Sequence, residues 1–278
     1  MHGCGNDYLL FDEPVELSGA IVRALCDRRT GVGADGVIAI SRAAEHAAEI
    51  SMTIYNADGR DGGVCGNGAR CVAERAAALG WAGDQLRIAV GGRTIEAERL
   101  GRGVVRLDMG EPVVTLGHVP VLASELDETG TLGIEHQVAG LPAVFVSMGN
   151  PHMVAMIEED PSGVELGVVG PLVENHRAFP EGMNLHVTSV TARDSATVRT
   201  WERGAGMTLA CGTGACAVVV AGVLTGRLDR FASVRMPGGT LEAEWDDAGG
   251  RVRLTGPTAV VCSGEWAGTA EKHEAGAS

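Results

Sequence analysis

The stretch CGNGARCVAERAAALG at residues 65–80 decides the fold, because CGTGACAVVVAGVLTG at residues 211–226 repeats its plan. Both begin with Cys-Gly-x-Gly-Ala and continue into small residues that favour a helix. The string GND with Asn6 precedes the first, and GNP with Asn150 precedes the second, at spacings of 59 residues (6 to 65) and 61 residues (150 to 211). Landmarks in the same order at nearly equal spacing predict a duplicated lobe.

Around each helix the chain alternates apolar and polar residues, which predicts strands. YLLFD, GVIAI and SMTIYN precede the first helix; AVFVSM, HMVAMI, LHVTSV and TVRTWE precede the second; a glycine-rich meander follows each, at 86–112 and 232–257. The predicted fold class is α+β, with two pseudo-symmetric lobes, each a mainly antiparallel sheet wrapped around one central helix that is nearly all apolar.

The repeat also predicts the domain organisation. We expect an N-terminal lobe over residues 1–111, completed by a closing strand at about 256–266, and a C-terminal lobe over residues 112–255. Residues 267–278 are small and polar, and we expect a disordered tail there.

Composition excludes several classes of partner. With 45% hydrophobic and 21% charged residues the chain is typical of a folded globular protein, and its net charge of −14 argues against nucleic acid, whose binding usually needs a basic face. No apolar run approaches the roughly 20 residues of a membrane span, and no basic leader opens the chain. We therefore expect a cytoplasmic protein with no membrane partner, and a homodimer stays open.

The seven cysteines do not form a recognisable disulfide or metal pattern. Their number is odd, and the pairs at 65/71 and 211/216 are spaced more widely than the two-residue gaps of structural zinc sites. We predict no metal, and we interpret Cys26, Cys71, Cys216 and Cys262 as small buried hydrophobic residues.

Cys65 and Cys211 are different, because each is predicted to stand at the start of a helix. The positive end of a helix dipole can lower a thiol's pKa toward neutrality, and the free N–H groups of glycine-rich turns suit a carboxylate. If the lobes face each other, a substrate α-carbon would have one sulfur on each side. One thiolate could then remove the α-proton while the other thiol protonates the opposite face, without a cofactor.

The sequence resembles the diaminopimelate epimerases of lysine and peptidoglycan biosynthesis, whose fold is shared with proline racemases. The matching strings are HGCGNDY, YNADG, CGNGARCVA, SMGNPH, MNLHVTSV, WERGAG, LACGTGACA and MPGGTLEAEW, in family order from residue 2 to about 256. The resemblance implies a cofactor-independent isomerase that interconverts LL- and meso-2,6-diaminopimelate by a two-cysteine, two-base mechanism.

The resemblance also implies roles for individual residues. Cys65 and Cys211 would be the acid/base pair, and His152 and Glu202 would tune the sulfurs' pKa values. Substrate contacts would come from the following residues: Asn6, Asn56, Gly66, Asn67, Asn150, Asn184, Glu202, Arg203, Gly212 and Thr213. A substrate with two amino-acid ends suits this set, because Arg203 can bind a distal carboxylate with two hydrogen bonds and Glu202 can pair with an ammonium group.

Other interpretations stay open. The same fold could serve a racemase or epimerase of another amino or imino acid. It could also serve a non-catalytic protein that binds a ligand or has a thiol-redox function. Asn6, Asn56 and Asn150 lie in turn-like strings, Glu202 and Arg203 could form a surface ion pair, and His152 could be a loop histidine.

The chain departs from the family pattern at three places. Arg60 stands where the pattern has a serine or other small polar residue. Met207 replaces an expected acidic residue four positions before Cys211, which puts the support of that loop in doubt. The short strand that usually precedes HGxGND is not in this sequence: either the start of the chain is assigned late or the strand is lost, and its loss would weaken the sheet around Asn6.

Overall fold

The chain folds into two compact units in a computed structural model that describes residues 1–12, 17–44, 47–63, 65–128, 135–246 and 250–267. Unit 1 comprises Met1–Leu107 and Gly256–Ser278, and unit 2 comprises Asp108–Thr255. The lobe boundaries inferred from the repeat stay a prediction. The expected disordered tail lies outside the described residues from position 268 onward.

The described residues of unit 1 form a mixed sheet with two helices. Its elements are β1 (His2–Gly3), β2 (Asn6–Phe11), α1 (Gly19–Cys26), β3 (Gly36–Arg42), β4 (Ile50–Asn56), α2 (Gly66–Ala78), β5 (Gln85–Val90), β6 (Arg93–Gly101) and β7 (Val104–Asp108), which runs to the unit boundary. The strands pair in sequence order; β2–β3 and β4–β5 are parallel, and the other pairs are antiparallel. A parallel pair needs a crossover, which α1 and α2 provide.

Unit 2 repeats this plan with extra strands at its start. Its elements are β8 (Asp127–Glu128), β9 (His136–Val138), β10 (Leu141–Ser147), β11 (Pro151–Ile157), α3 (Leu166–Glu174), β12 (Asn184–Ala192), β13 (Ser195–Glu202), β14 (Gly206–Thr208), α4 (Gly212–Leu224), β15 (Phe231–Met236), β16 (Gly239–Trp245) and β17 (Val252–Pro257), which runs across the second boundary. Short 3-10 helices occupy Leu116–His118, Ala123–Glu125 and Pro161–Gly163.

The strand pairings confirm the duplication. In unit 2, β11–β12 and β13–β15 are parallel while β10–β11, β12–β13, β15–β16 and β16–β17 are antiparallel. The succession β11–α3–β12–β13–α4–β15–β16–β17 therefore matches β2–α1–β3–β4–α2–β5–β6–β7. The predicted α+β fold with a mainly antiparallel sheet in each lobe is confirmed.

The two central helices explain the small-residue runs. Helix α4 is buried at almost every position from Gly212 to Gly222, and α2 is buried from Gly66 to Ala73. Alanine, glycine and valine allow the surrounding strands to approach these helices closely, so the core is dense without large side chains. Within α2, however, the side chain of Arg70 is fully buried, so this helix is less apolar than expected.

The predicted central helix of each lobe is present, and the described residues add a helix to each unit, α1 and α3, that the sequence analysis did not predict. Helix α1 has only eight residues, and Ser18 caps it by accepting a hydrogen bond from the Ile21 backbone N–H. Helix α3 contains Pro171, which breaks the usual sequence pattern of a helix. Both are held by packing on the sheet more than by intrinsic propensity.

The chain ends of unit 1 meet at β1. Met1 hydrogen-bonds through its ammonium group to the Tyr8 carbonyl at 2.9 Å and accepts from the Tyr8 N–H at 2.8 Å, so these bonds extend the strand pairing in front of Asn6. His2 also pairs with Ala259 through two 2.9 Å backbone bonds. The expected closing strand at 256–266 is thus limited to the end of β17 and this bridge, since residues 260–267 form no strand.

Three of the four cysteines expected in the core are buried. Cys26, Cys71 and Cys216 are buried as expected, whereas Cys262 is exposed, because the chain has left the sheet before it reaches this residue. All seven cysteines are free thiols. In the described part of the chain, no helix is long and apolar enough to cross a membrane.

Candidate active site

The two proposed acid/base thiols occupy the same position in their units. Cys65 is the N-cap of α2, with φ −127° and ψ 119°, and Cys211 is the N-cap of α4, with φ −126° and ψ 115°. In both helices the following glycine is the first helical residue, so the free N–H groups of the first turn lie beside the sulfur. The expected placement of both thiols at a helix start is confirmed.

In unit 1, Cys65 has a partner that the sequence did not reveal. The hydroxyl of Tyr8 on β2 lies 3.0 Å from the Cys65 Sγ. The Tyr8 ring is buried and packs on Gly36, where an added Cβ would lie 3.2 Å from the Tyr8 Cε1. The missing side chain at Gly36 therefore makes room for the tyrosine that contacts the thiol.

Asn67 is fixed by a buried arginine. The Arg70 Nη2 donates to the Asn67 Oδ1 at 2.6 Å and lies 3.9 Å from the Cys4 sulfur. Arg70 is fully buried, and its Nε and Nη1 atoms have no hydrogen-bond partner among the described residues. A buried guanidinium is costly without an anion, so this site favours a negatively charged group near the start of α2.

The other two asparagines of unit 1 lie at strand ends. Asn6 begins β2, and its Oδ1 is buried with no hydrogen-bond partner among the described residues, which leaves it available to an ammonium or amide donor. Asn56 ends β4, is exposed, and belongs to a turn in which its N–H donates to the Arg60 carbonyl at 2.9 Å. The turn interpretation and the ligand interpretation of Asn56 are therefore compatible.

In unit 2, Cys211 forms a dyad with Glu202. The Glu202 carboxylate, at the end of β13, lies close enough to the Cys211 thiol to shift its pKa, and the hydroxyl of Thr208 donates to the Glu202 Oε1 at 2.6 Å. Burial raises the pKa of Glu202, while its hydrogen bonds to Thr208 and Cys211 act in the opposite direction.

The expected direction of the Cys211 pKa is wrong. Burial raises this pKa well above its ordinary value, and the negative charge of Glu202 raises it further. The hydrogen bonds from the Thr213 hydroxyl and the Gly214 backbone N–H lower it, as the helix start predicts, but they are outweighed because the sulfur is withdrawn from water. In this state Cys211 is a protonated thiol at neutral pH.

Asn150, His152 and Thr213 lie together beside Cys211. The Asn150 Oδ1 is 2.9 Å from the His152 Nε2, the Asn150 Nδ2 is 3.4 Å from the Thr213 Oγ1, and this hydroxyl is 3.6 Å from the Cys211 Sγ. His152 lies in β11 and not in a loop, and burial lowers its pKa well below the usual value. It is therefore a neutral imidazole.

Asn184 and Arg203 have structural partners in addition to any ligand. The Asn184 Nδ2 donates to the Pro151 carbonyl at 2.7 Å, and its Oδ1 accepts from the Arg203 backbone N–H at 2.9 Å. The Arg203 Nη1 donates to the Glu181 carbonyl at 2.6 Å. Glu202 accepts instead from the Thr208 hydroxyl, so the alternative of a Glu202–Arg203 ion pair finds no support.

Met207 does not disrupt the loop before Cys211. It lies in β14 opposite Trp201, and its side chain is 58% exposed. The neighbouring Thr208 still holds Glu202, so the backbone supports the dyad although the expected acidic side chain is replaced.

Four residues of the site were missed from the sequence: Tyr8, His186, Thr200 and Thr208. Tyr8 contacts Cys65, His186 contacts His152, Thr208 contacts Glu202, and Thr200 contacts His186. Each pair joins residues that are apart in the sequence, so no local motif marks them. Only Tyr8 carried a usable signal, because it lies two positions after Asn6 and so shares a face of β2 with it. Among the described residues, no group of three or more His, Cys, Asp or Glu side chains is arranged to hold a metal ion.

Solved structures with this fold define its class. A hydroxyproline epimerase from Agrobacterium vitis aligns with a TM-score of 0.61 at 14% identity, covering 92% of this chain and 87% of that one. A methylitaconate-delta-isomerase aligns with a TM-score of 0.59 at 13% identity, covering 92% and 90%. The fold is therefore the duplicated two-lobed fold of racemases, epimerases and related isomerases.

Sequence comparison identifies the family within that class. A model of the diaminopimelate epimerase family matches residues 1–115 and 144–261. A diaminopimelate epimerase of Nostoc punctiforme is 42% identical over 274 residues, or 95% of this chain and 97% of that protein, and one of Desulforudis audaxviator is 41% identical over 279 residues, or 96% and 97%. The chain belongs to the diaminopimelate epimerase family.

Proposed function

We propose that this protein interconverts LL- and meso-2,6-diaminopimelate without a cofactor, using Cys65 and Cys211 as its two acid/base groups. The observation that carries the proposal is the repeated N-cap cysteine in a chain of this family. A tight glycine turn explains the glycines after each cysteine, but it gives no reason for a thiol at the same position in both units.

The proposed chemistry is a proton exchange at the substrate's α-carbon. One sulfur, as thiolate, removes the α-proton; the other, as thiol, donates its proton to the opposite face. The enzyme finishes with the two protonation states exchanged, so the reverse reaction uses the same groups in opposite roles. The N–H groups at the starts of α2 and α4 would stabilise the carboxylate as negative charge develops on it.

The protonation state of Cys211 indicates that it acts as the acid before it acts as the base. Because burial and Glu202 keep this thiol protonated, it is ready to act as the acid. To act as the base it must pass its proton to Glu202, whose own raised pKa makes that transfer less costly. We propose that Glu202 is the proton acceptor that activates Cys211.

We propose that the remaining site residues bind the two amino-acid ends of the substrate. Among the described residues, the Asn6 Oδ1 has no hydrogen-bond partner and suits an ammonium group, and the Arg70 Nε and Nη1 have none and favour a carboxylate near α2. The Arg203 Nη1 already binds a carbonyl, and the group's other N–H donors could bind a distal carboxylate. We also propose a cytoplasmic location, supported by seven free thiols, which persist in reducing compartments.

Proton NMR of LL-diaminopimelate with the reduced protein in D2O tests the proposal. We expect loss of the α-proton signal and appearance of the meso isomer, and loss of epimerisation in Cys65→Ala and in Cys211→Ala. Cys71→Ala and Cys216→Ala are matched controls, because each removes a fully buried thiol from the same helix. Both controls should retain exchange.

The same experiment distinguishes the alternatives. Exchange on another amino or imino acid, with none on diaminopimelate, would indicate a different substrate on the same fold. Binding of diaminopimelate by a folded, reduced protein without any exchange would indicate a non-catalytic relative. Retained epimerisation in either of the two site variants would exclude the two-thiol mechanism.

A further inference from the structure

A chain of polar side chains runs through the interior of unit 2 and ends at the Cys211 sulfur. The His152 Nδ1 lies 2.8 Å from the His186 Nε2, and the His186 Nδ1 lies 3.1 Å from the Thr200 Oγ1. These contacts extend the path from Cys211 through Thr213, Asn150 and His152. In order, its members are Thr200, His186, His152, Asn150, Thr213 and Cys211.

The chain has a direction. The Asn150 Oδ1 faces His152, so the His152 Nε2 carries the proton and its Nδ1 must accept. His186 therefore donates through Nε2, and its Nδ1 accepts from the Thr200 hydroxyl. At the other end the Asn150 amide donates to Thr213, whose hydroxyl proton is free to point at the sulfur. Every donor points toward Cys211.

Unit 1 has no such chain at the equivalent positions. His186 pairs with Thr200 across β12 and β13, and the corresponding pair across β3 and β4 is Ile38 with Ile54. The same equivalence appears at the helices, because an added Cβ at Gly214 would overlap the His186 ring, and one at Gly68 would lie 2.8 Å from the Ile38 Cδ1. The fold can therefore pack with apolar side chains at these two positions, as it does in unit 1. Packing alone does not explain the imidazole and the hydroxyl in unit 2.

Burying these polar side chains is costly unless each donor and acceptor has a hydrogen-bond partner. His152 and His186 are completely buried, and Thr200 is 2% exposed. Burial keeps both imidazoles neutral, with the pKa of His186 lowered to about 3. Neutral imidazoles can each donate one proton and accept one, which a directional chain requires.

We propose that His186 and Thr200 are positioning residues for Cys211: they hold His152 in the tautomer that donates to Asn150, so that the Thr213 hydroxyl is delivered as a donor to the Cys211 sulfur. A hydrogen bond to sulfur favours the thiolate over the thiol. The chain thus offsets part of the destabilisation of the thiolate that burial and Glu202 cause. The inference rests on the proposed function only in giving Cys211 a role in proton transfer.

Several ionisable groups act on the Cys211 sulfur, so a variant that tests the hydrogen bonds must leave these groups unchanged. Glu202 on β13 acts on Cys211 directly, and the positive charge of Arg203 acts on His152. His152 on β11 and His186 on β12 are members of the hydrogen-bond chain. Variants that leave all of these in place isolate the hydrogen bonds. Thr200→Val is such a variant, since it removes one hydroxyl and keeps the shape of the side chain.

The test measures the reactivity of Cys211 and not turnover. In a Cys65→Ser, Cys262→Ser background, the rate of iodoacetamide alkylation at Cys211 is followed from pH 6 to 10 by peptide mass spectrometry. Thr200→Val should lower the rate at pH 8 by about three- to tenfold, the range that loss of one hydrogen bond produces, and move the profile to higher pH. Thr200→Ser restores a hydroxyl and should restore the rate.

Thr188→Val is the matched control. Thr188 is equally buried in the same strand pair, but its hydroxyl donates to the His186 backbone carbonyl and not to the imidazole. This variant should leave the alkylation profile unchanged. His186→Ile copies the residue that unit 1 uses, and it provides a second, apolar route to the same loss should Thr200→Val fail to fold.

Nitrogen-15 NMR of the imidazoles reports the tautomers directly. Both histidines should carry their proton on Nε2, and His152 should lose this preference in Thr200→Val. An unchanged alkylation rate in Thr200→Val and His186→Ile, or an equal loss in Thr188→Val, would overturn the inference. If the profile shifts as expected but diaminopimelate shows no exchange in D2O, the proposed function fails while the inference about Cys211 stands.

Discussion

Replacing Tyr8 by phenylalanine should slow epimerisation without unfolding the protein. The substitution removes the hydroxyl 3.0 Å from the Cys65 Sγ and leaves the ring that packs on Gly36. A hydrogen bond to a charged group contributes about 1.5–3 kcal/mol, against about 0.5–1.5 kcal/mol between neutral groups, so the thiolate loses about 1–1.5 kcal/mol more than the thiol does. This difference corresponds to a roughly five- to thirteenfold fall in kcat/KM.

The assay is kcat/KM for both isomers of diaminopimelate with reduced protein. Because the equilibrium constant is fixed, the values in the two directions must fall by the same factor, which provides an internal check. Tyr55→Phe changes the chain's other tyrosine, which lies on β4 of the same sheet, and should leave both values unchanged. The reasoning is refuted if Tyr8→Phe stays within about twofold of the parent, or if Tyr55→Phe has the same effect.

Three further predictions concern pH, packing and oxidation. Because burial lowers the pKa of His186 to about 3 and that of His152 well below its usual value, the unfolded chain binds protons below pH 6.5 that the folded chain does not. The free energy of unfolding should therefore fall as pH drops from about 6.5, by up to roughly 1.4 kcal/mol per pH unit for each histidine, and urea unfolding that is flat from pH 7 to 5 would contradict this. Gly214→Ala should destabilise the protein by about 1–3 kcal/mol through overlap with the His186 ring, whereas Gly68→Ala should cost less because it meets the flexible end of a side chain; equal losses in thermal unfolding would argue against this account. If both proposed thiols serve one substrate carbon, they can form a disulfide, so activity should require reductant and return with it; full activity after prolonged oxidation would count against this.

The main elements of the fold could be read from the sequence because their signals are local. Glycine-rich turns, period-two strands and the small-residue runs at 65–80 and 211–226 each depend on neighbouring residues, and all of them are present in the structure. Helices α1 and α3 were missed for the same reason: they are short, one contains Pro171, and tertiary packing supports them.

The sequence by itself determined the duplication, the two N-cap cysteines and the family, because each of these is written in residue order and spacing. Only the tertiary structure decided the surroundings of each sulfur. Tyr8 and Cys65 are 57 positions apart and meet where the start of α2 lies against β2. His152 and His186 are 34 positions apart and meet because β11 pairs with β12. Burial raises the pKa of Cys211, where the sequence predicted a lower one. Desolvation depends on every atom packed around the sulfur, and here it outweighs the hydrogen bonds at the helix start that lower the pKa.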